Sequence, residues 1–229
     1  MPTIVITGAG RGIGLATCKA FLSRGYQVIA TYRSANGLAS LQSLPHQAGQ
    51  LQCFPLEVSD SHAIENFAEK LRGQTVDILL NNAGVFGGEA QSINHLDFNE
   101  WKQTLAINTI APIELTLALL PNLRKSLSAR VVAISSQMAS LERNQPGYYA
   151  YRSSKAALNK AIQCLAHDLK ADNIVVCPVH PGWVKTDMGG TDADISVNEC
   201  VAGLVPLIEQ LSMAQTGHFL QYNGESMSW

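Results

Sequence analysis

Six short apolar runs recur along the chain: TIVIT (3–7), QVIATY (27–32), LQCFPL (51–56), VDILLN (76–81), RVVAIS (130–135) and IVVCPV (174–179). They are rich in β-branched residues and nearly continuous rather than alternating. A strand buried on both faces carries such a run, as in a parallel sheet covered on both sides. Between the runs lie stretches with helical spacing. In GIGLATCKAFLSRG (12–25), Ile13, Ala16, Ala20 and Phe21 form one apolar stripe and Gly25 supplies a C-terminal stop. Similar stretches cover 60–72, 97–126, 149–171 and 197–211. This alternation predicts the α/β class, with one doubly wound parallel sheet and helices on both of its faces. No repeat, linker or composition break divides residues 1–229, so a single domain is expected.

Composition narrows the function. Net charge is −2, which offers no basic field for nucleic acid. Cys18, Cys53, Cys164, Cys177 and Cys200 are odd in number and never spaced C-x-x-C. That argues against a disulfide framework or a metal site and for a reducing compartment. The opening MPTIVITGAG has no basic region before its apolar run, and no run is long enough to span a membrane. A cytoplasmic protein is expected.

TGAGRGIG (7–14) follows the first strand directly and opens a helix. Glycine serves where backbone must come close to a pyrophosphate and leave N–H groups free at a helix N-terminus. Gly8, Gly12 and Gly14 are the glycines concerned, in a G-x-x-x-G-x-G spacing. Their place at the first strand-to-helix turn points to a dinucleotide and a Rossmann-like sheet. A site for NAD wants an acid at the end of the second strand. Here VIATYRS presents Tyr32 and Arg33 instead, and a guanidinium suits a 2′-phosphate. Arg11, inside the turn, is a second cation for that phosphate. NADP(H) is the expected cofactor.

GYYAYRSSKAALNK (147–160) holds three tyrosines, Tyr148, Tyr149 and Tyr151. Residues four apart share a helix face, which pairs Tyr151 with Lys155. A phenol titrates near 10, and a neighbouring ammonium lowers that value toward the range of proton transfer. LLNNAG (79–84), ISS (134–136) and HPG (180–182) all fall at carboxyl ends of strands, where such sheets bind ligands.

Taken in order, TGAGRGIG, NNAG, Asn108, Ser135-Ser136, Tyr151-x-x-x-Lys155 and Pro181-Gly182 resemble the short-chain dehydrogenase/reductase family over essentially the whole chain. AYRSSKAALN, HPGWVKTDMG and TGHFLQYNGESMSW resemble the subgroup containing C-factor and the sniffer carbonyl reductases. The resemblance implies hydride transfer between a nicotinamide and a carbonyl or alcohol carbon. Tyr151 would be the general acid, Ser136 would orient the carbonyl oxygen, Lys155 would hold the ribose and lower the phenol pKa, and Asn108 would complete a proton relay. Cofactor contacts are implied at Gly8, Gly10, Arg11, Gly12, Ile13, Gly14, Tyr32, Arg33, Glu57, Val58, Asn82, Ala83, Gly84, Tyr151, Lys155, Pro181, Gly182, Val184 and Thr186. Helices 97–126 and 149–171 form the faces of dimers in many relatives, so a homodimer or homotetramer is implied as well.

Some features depart from the family pattern. The interval from the serine pair to Tyr151 is long, so Ser135 stays an alternative to Ser136. Leu56-Glu57-Val58 stands where the family often has Leu-Asp-Val, leaving the adenine contact to Glu57 or Val58. Pro112 has no N–H to give the carbonyl of Asn108, which predicts a kink and a carbonyl free to bind water. Phe86, Met138, Tyr149 and Trp183 are the expected pocket wall, alongside Ser136. Their apolar character favours a small lipophilic ketone, aldehyde or quinone. Two functions compete: an NADP(H)-dependent carbonyl reductase, and an NADP(H)-binding sensor or C-factor-like signalling protein without essential turnover. The complete reacting set favours the enzyme.

Overall fold

The computed structural model describes residues 1–229. In chain order its elements are β1 (Thr3–Ile6), α1 (Gly12–Ser23), β2 (Gln27–Tyr32), α2 (Ala35–Gln42), β3 (Leu51–Pro55), α3 (Ser61–Lys70) and β4 (Ile78–Asn81). There follow the two-residue strands β5 (Gln91–Ser92) and β6 (His95–Leu96), then α4 (Phe98–Leu105), α5 (Ala111–Ala118), α6 (Leu120–Leu123) and β7 (Arg130–Ile134). The chain closes with α7 (Tyr149–Asp168), β8 (Val175–His180), α8 (Val197–Gln210) and β9 (Leu220–Gln221).

Seven strands form one sheet in the order β3-β2-β1-β4-β7-β8-β9, every neighbouring pair parallel. Strand order reverses direction between β1 and β4, which opens a crevice at their carboxyl ends. The continuous apolar runs have a direct cause. Val5, Ile29, Leu79, Val131 and Val176 point to one face, against α3, α5 and α7. Ile4, Ile6, Val28, Ile78, Leu80 and Val132 point to the other, against α1 and α8. Both sides of the central strands are therefore core, while the edge strand β3 is only half-buried.

The expected run 97–126 is not one helix. It divides into α4, a wider π turn at Ala106–Ile110, then α5 and α6. Pro112 sits at the start of α5, where a missing N–H costs least. The predicted disturbance at Asn108 thus takes the form of a π turn, and Asn108 within it is fully buried. The run 149–171 ends as a helix at Asp168 and finishes in a tight turn, Leu169–Asp172. Helix α2, the β5–β6 hairpin and β9 were not anticipated by apolar patterning.

Most helices that start afresh after a loop carry their own cap. Ser34 accepts from Gly37 N–H for α2, Asp60 from His62 and Ala63 N–H for α3, and Asp97 from Asn99 and Glu100 N–H for α4. Ser196 and Glu199 form a reciprocal capping box for α8. Helices α1 and α7 have no side-chain cap of their own.

Candidate active site

The glycine turn is built from backbone crowding. A Cβ at Gly8 would lie 2.8 Å from Ala83 Cα, and Gly8 has φ +61°. A Cβ at Gly14 would lie 2.5 Å from the Gly8 carbonyl oxygen and 2.6 Å from Asn82 Nδ2. Gly10 meets Gly37 of α2, where an added Cβ would come within 2.7 Å of the Gly37 Cα. Asn82 Nδ2 donates to the carbonyls of Thr7 and Gly8, while the N–H groups of Asn82 and Ala83 donate to Thr7 Oγ1. NNAG thus clamps the end of β4 to the turn after β1, so Asn82 shapes the cradle through its amide. The first N–H groups of α1, from Gly12 onward, have no side-chain acceptor and no acid in the first turn. Free N–H groups, close backbone and the positive end of a helix fit a pyrophosphate.

The loop after β8 folds over this turn. Thr186 Cγ2 lies 3.5 Å from where a Gly12 Cβ would stand, Val184 is buried, and Thr186 Oγ1 accepts from Gly189 N–H at 3.1 Å. Gly182 has φ +88° with Ile195 beneath it. Arg11 Nη1 reaches Asp187 Oδ2 across the groove at 2.6 Å, both side chains exposed. On the far side, Arg33 stands at the end of β2 and faces Glu57 at 3.6 Å. Glu57 in turn accepts from the Ser59 N–H and hydroxyl. The Val58 side chain belongs to the core.

Next to the turn, at the carboxyl ends of β4 and β7, the serines, Tyr151, Lys155 and Asn108 come together. Ser135 is buried and donates to Asn159 Oδ1 of α7. Ser136 accepts from Met138 N–H at 3.1 Å, and its hydroxyl is near enough to the Tyr151 phenol to favour the ionised form. Asn159 thus engages the Ser135 hydroxyl, whereas the Ser136 hydroxyl stays beside Tyr151. Lys155 Nζ lies 5.9 Å from the centroid of the Tyr151 ring and donates to the Ile134 carbonyl at 2.7 Å. A Cβ on Gly84 would stand 3.6 Å from that ammonium and 3.2 Å from Asn108 Oδ1. Asn108 Oδ1 accepts from Val85 N–H, and its Nδ2 donates to the Val85 carbonyl and to Ser154 Oγ.

Burial governs the titration of both Tyr151 and Lys155. It pushes the Lys155 ammonium down from 10.5 to about 8. It also raises the Tyr151 phenol above its ordinary value, with the bond from Ser136 pulling the other way. The expected lowering of the phenol by Lys155 is not found: loss of solvent dominates, and the group that opposes it is Ser136. A raised phenol stays protonated at neutral pH, the state a proton donor needs.

The aromatic wall differs in detail from expectation. Phe86 lies against Tyr151 with ring centroids 4.8 Å apart, and against Tyr148 at 5.2 Å. Tyr149 turns instead toward Trp101 of α4, at 6.0 Å. Tyr148, left out of the predicted wall, is the neighbour of Phe86, because it holds a left-handed backbone (φ +53°) just after Gly147. Trp183 is half exposed, its Nε1–H donating to the Gly189 carbonyl, and Met138 lies beside Ser136. Gln91, not singled out by the sequence, is buried between Phe86 and Tyr151. No group of three or more His, Cys, Asp or Glu side chains is placed to hold a metal. No helix is long and apolar enough to cross a membrane.

Solved structures share this arrangement of strands and helices. The carbonyl reductase Sniffer of D. melanogaster superposes with a TM-score of 0.93 over 100% of both chains at 31% identity. An NADPH-bound carbonyl reductase from chicken fatty liver does so with a TM-score of 0.91 at 34% identity, over 100% of this chain and 99% of that one. By sequence, the C-signal protein of Myxococcus xanthus is 40% identical over 164 residues, 71% of this chain and 98% of that protein. The 1-hydroxy-2-glutathionyl-2-methyl-3-butene dehydrogenase of Rhodococcus sp. (strain AD45) is 28% identical over the full length of both. Residues 2–194 match the sequence pattern of the short chain dehydrogenases. With the glycine cradle, the clamped NNAG turn and the Ser136–Tyr151–Lys155 cluster together at the carboxyl end of the sheet, the chain belongs to the short-chain dehydrogenase family, whose members bind a nicotinamide cofactor.

Proposed function

We propose that the protein is an NADP(H)-dependent carbonyl reductase, with Tyr151 as proton donor to the substrate oxygen. The observation that carries this reading is the meeting of Ser136, Tyr151 and Lys155 beside an uncapped helix N-terminus and a glycine cradle. A bound nicotinamide supplies the hydride. The Ser136 hydroxyl donates to the carbonyl oxygen and fixes its direction, and the Tyr151 phenol releases its proton to that oxygen as negative charge develops there. Lys155, with a pKa near 8, carries an ammonium at neutral pH that steadies the emerging phenolate and binds the cofactor ribose. The Asn108 amide holds Val85 and Ser154 in register, and its backbone carbonyl would accept from a water that relays protons to and from Lys155.

Gly8, Gly12 and Gly14 with the start of α1 would hold the pyrophosphate, and Arg33 with Arg11 the 2′-phosphate. Each arginine faces a carboxylate, Glu57 or Asp187, which the phosphate must rival. Exposed ion pairs of that kind are worth at most about 1 kcal/mol, so they yield readily to a dianion. The substrate is a small lipophilic ketone, aldehyde or quinone, met by Phe86, Tyr148, Met138 and Trp183. Because burial raises the phenol, Tyr151 would be protonated at neutral pH, the form able to give a proton to a carbonyl oxygen.

A panel of aromatic carbonyls with NADPH and NADH tests the reading. Tyr151→Phe is expected to lower kcat by about a thousandfold or more. Wild-type turnover in that variant rejects the acid assignment. Arg33→Asp is expected to lower the NADPH-to-NADH preference by about tenfold or more, in line with loss of a charge-assisted pair; an unchanged ratio shows that the phosphate is read elsewhere. The likeness to C-signal favours a second reading, a nucleotide-binding signalling protein. That reading predicts tight NADPH binding without turnover of any carbonyl in the panel.

A further inference from the structure

Helix α7 carries Tyr151 and Lys155, yet its first residues lack a local cap. Tyr148, at the cap position, has a left-handed backbone and its side chain accepts nothing. The acceptor comes from sixty residues upstream. Gln91 Oε1 accepts from the N–H of Tyr151, the third residue of the helix, at 3.0 Å. That is one of the N–H groups a side-chain cap ordinarily satisfies. The same amide turns its Nε2 to the carbonyls of Phe86 at 2.8 Å and Gly88 at 3.0 Å. Two carbonyls need donors and one N–H needs an acceptor, so only this orientation of the amide satisfies all three partners.

The loop held by Gln91 has little room to move. Gly87 and Gly88 have positive φ, and a Cβ at Gly87 would lie 2.6 Å from Thr104 Oγ1 and 3.2 Å from Ala150 Cβ. Phe86 at the start of this loop lies against the Tyr151 ring. A single buried side chain, 4% exposed, therefore joins the wall of the pocket to the backbone of the proton donor.

We propose that Gln91 is a positioning residue for carbonyl reduction: it caps α7 at the amide of Tyr151 while gripping the Phe86–Gly88 loop, so that proton donor and pocket wall are set as one unit. The inference rests on the reading of Tyr151 as the acid. Two variants separate the halves of the grip. Gln91→Met keeps the length and loses every hydrogen bond. Gln91→Glu keeps an acceptor for the Tyr151 N–H and loses both donors to the loop.

Full-length protein is assayed with NADPH and 4-nitrobenzaldehyde, and NADPH affinity is read separately by tryptophan fluorescence. Gln91→Met is expected to lower kcat by about a hundredfold, the scale of a misplaced reacting group, with NADPH affinity within about twofold. Gln91→Glu is expected to keep kcat within about threefold and raise KM about tenfold, since only the wall is loosened. The proposal is overturned by a Gln91→Met enzyme with near-wild-type kcat, by a parallel loss of NADPH affinity, or by Gln91→Glu being as slow as Gln91→Met. If Gln91→Met does not fold, Gln91→Glu decides: a retained kcat with raised KM supports the role and a lost kcat overturns it. Tyr151→Phe runs in the same assay. Should it turn over like wild type, the acid reading falls, whereas an inactive Tyr151→Phe beside an unslowed Gln91→Met removes Gln91 alone.

Discussion

Helices α3 and α8 begin with side chains from their own sequence, Asp60 and the Ser196–Glu199 box, whereas α1 and α7 begin with none. The first pair spends its early N–H groups on local stability. The second pair leaves them available, at α1 for an anion and at α7 for the remote amide of Gln91. The same division appears in charge burial. Lys155 is 5% exposed with one carbonyl as its hydrogen-bond partner, an arrangement that weakens the fold and that the proposed reaction would put to use. Stability and chemistry are thus built into different helix starts of one molecule.

Lys155→Met tests that division most severely. Activity is expected to fall about a thousandfold, as for a lost partner in proton transfer. Stability should nevertheless rise at pH 7. The lysine pKa drops from 10.5 to about 8 on burial, a cost of about 3 kcal/mol by linkage. The folded pKa lies below the unfolded one, so the unfolded chain holds more protons between those values. Wild-type stability therefore climbs as pH rises from about 8 to 10.5, and the full cost is present below 8. After subtracting the orphaned Ile134 carbonyl, the variant should gain about 1–2 kcal/mol at pH 7 and lose that advantage by the alkaline end. Denaturant melts at both pH values check it, and a less stable variant at pH 7 breaks the comparison.

Gly14→Ala acts on the open start of α1. Its Cβ would fall 2.5 Å from a backbone oxygen that cannot step aside, so the cradle must spread. NADPH affinity should drop by about a hundredfold, and stability by about 1–3 kcal/mol for the overpacking; titration calorimetry and a melt read the two. Asp60→Ala gives the smallest effect. It should cost about 1 kcal/mol of stability and leave kcat and KM unchanged, because the cap it removes serves α3 alone. Any kinetic change there would blur the line between the two kinds of helix start.

Much of the sheet was legible because its strands are buried on both sides, which writes an unbroken apolar run into the sequence. The glycine turn and the Tyr151–Lys155 pair were legible for a related reason: each depends on spacing along one short segment. What escaped depends on partners far away in the chain. Ser136 separates from Ser135 only through Asn159, twenty-four residues on. Gln91 is a lone polar residue in a polar loop, and its value comes from the helix it meets. Tyr148 and Tyr149 are adjacent, and a left-handed backbone at the first decides which ring joins Phe86. Helix α2, ANGLASLQ, lacks a strong stripe because it rests partly on glycine contacts.

The contact between Gly10 and Gly37 bears on any redesign of cofactor choice. A methyl at position 37 would stand 3.2 Å from the Gly10 Cα and 3.4 Å from Ser34 Oγ, although the residue faces no ligand. A library that varies Tyr32 and Arg33 would do well to leave position 37 alone, because bulk one helical turn later would push the glycine turn and α2 apart by a few tenths of an ångström.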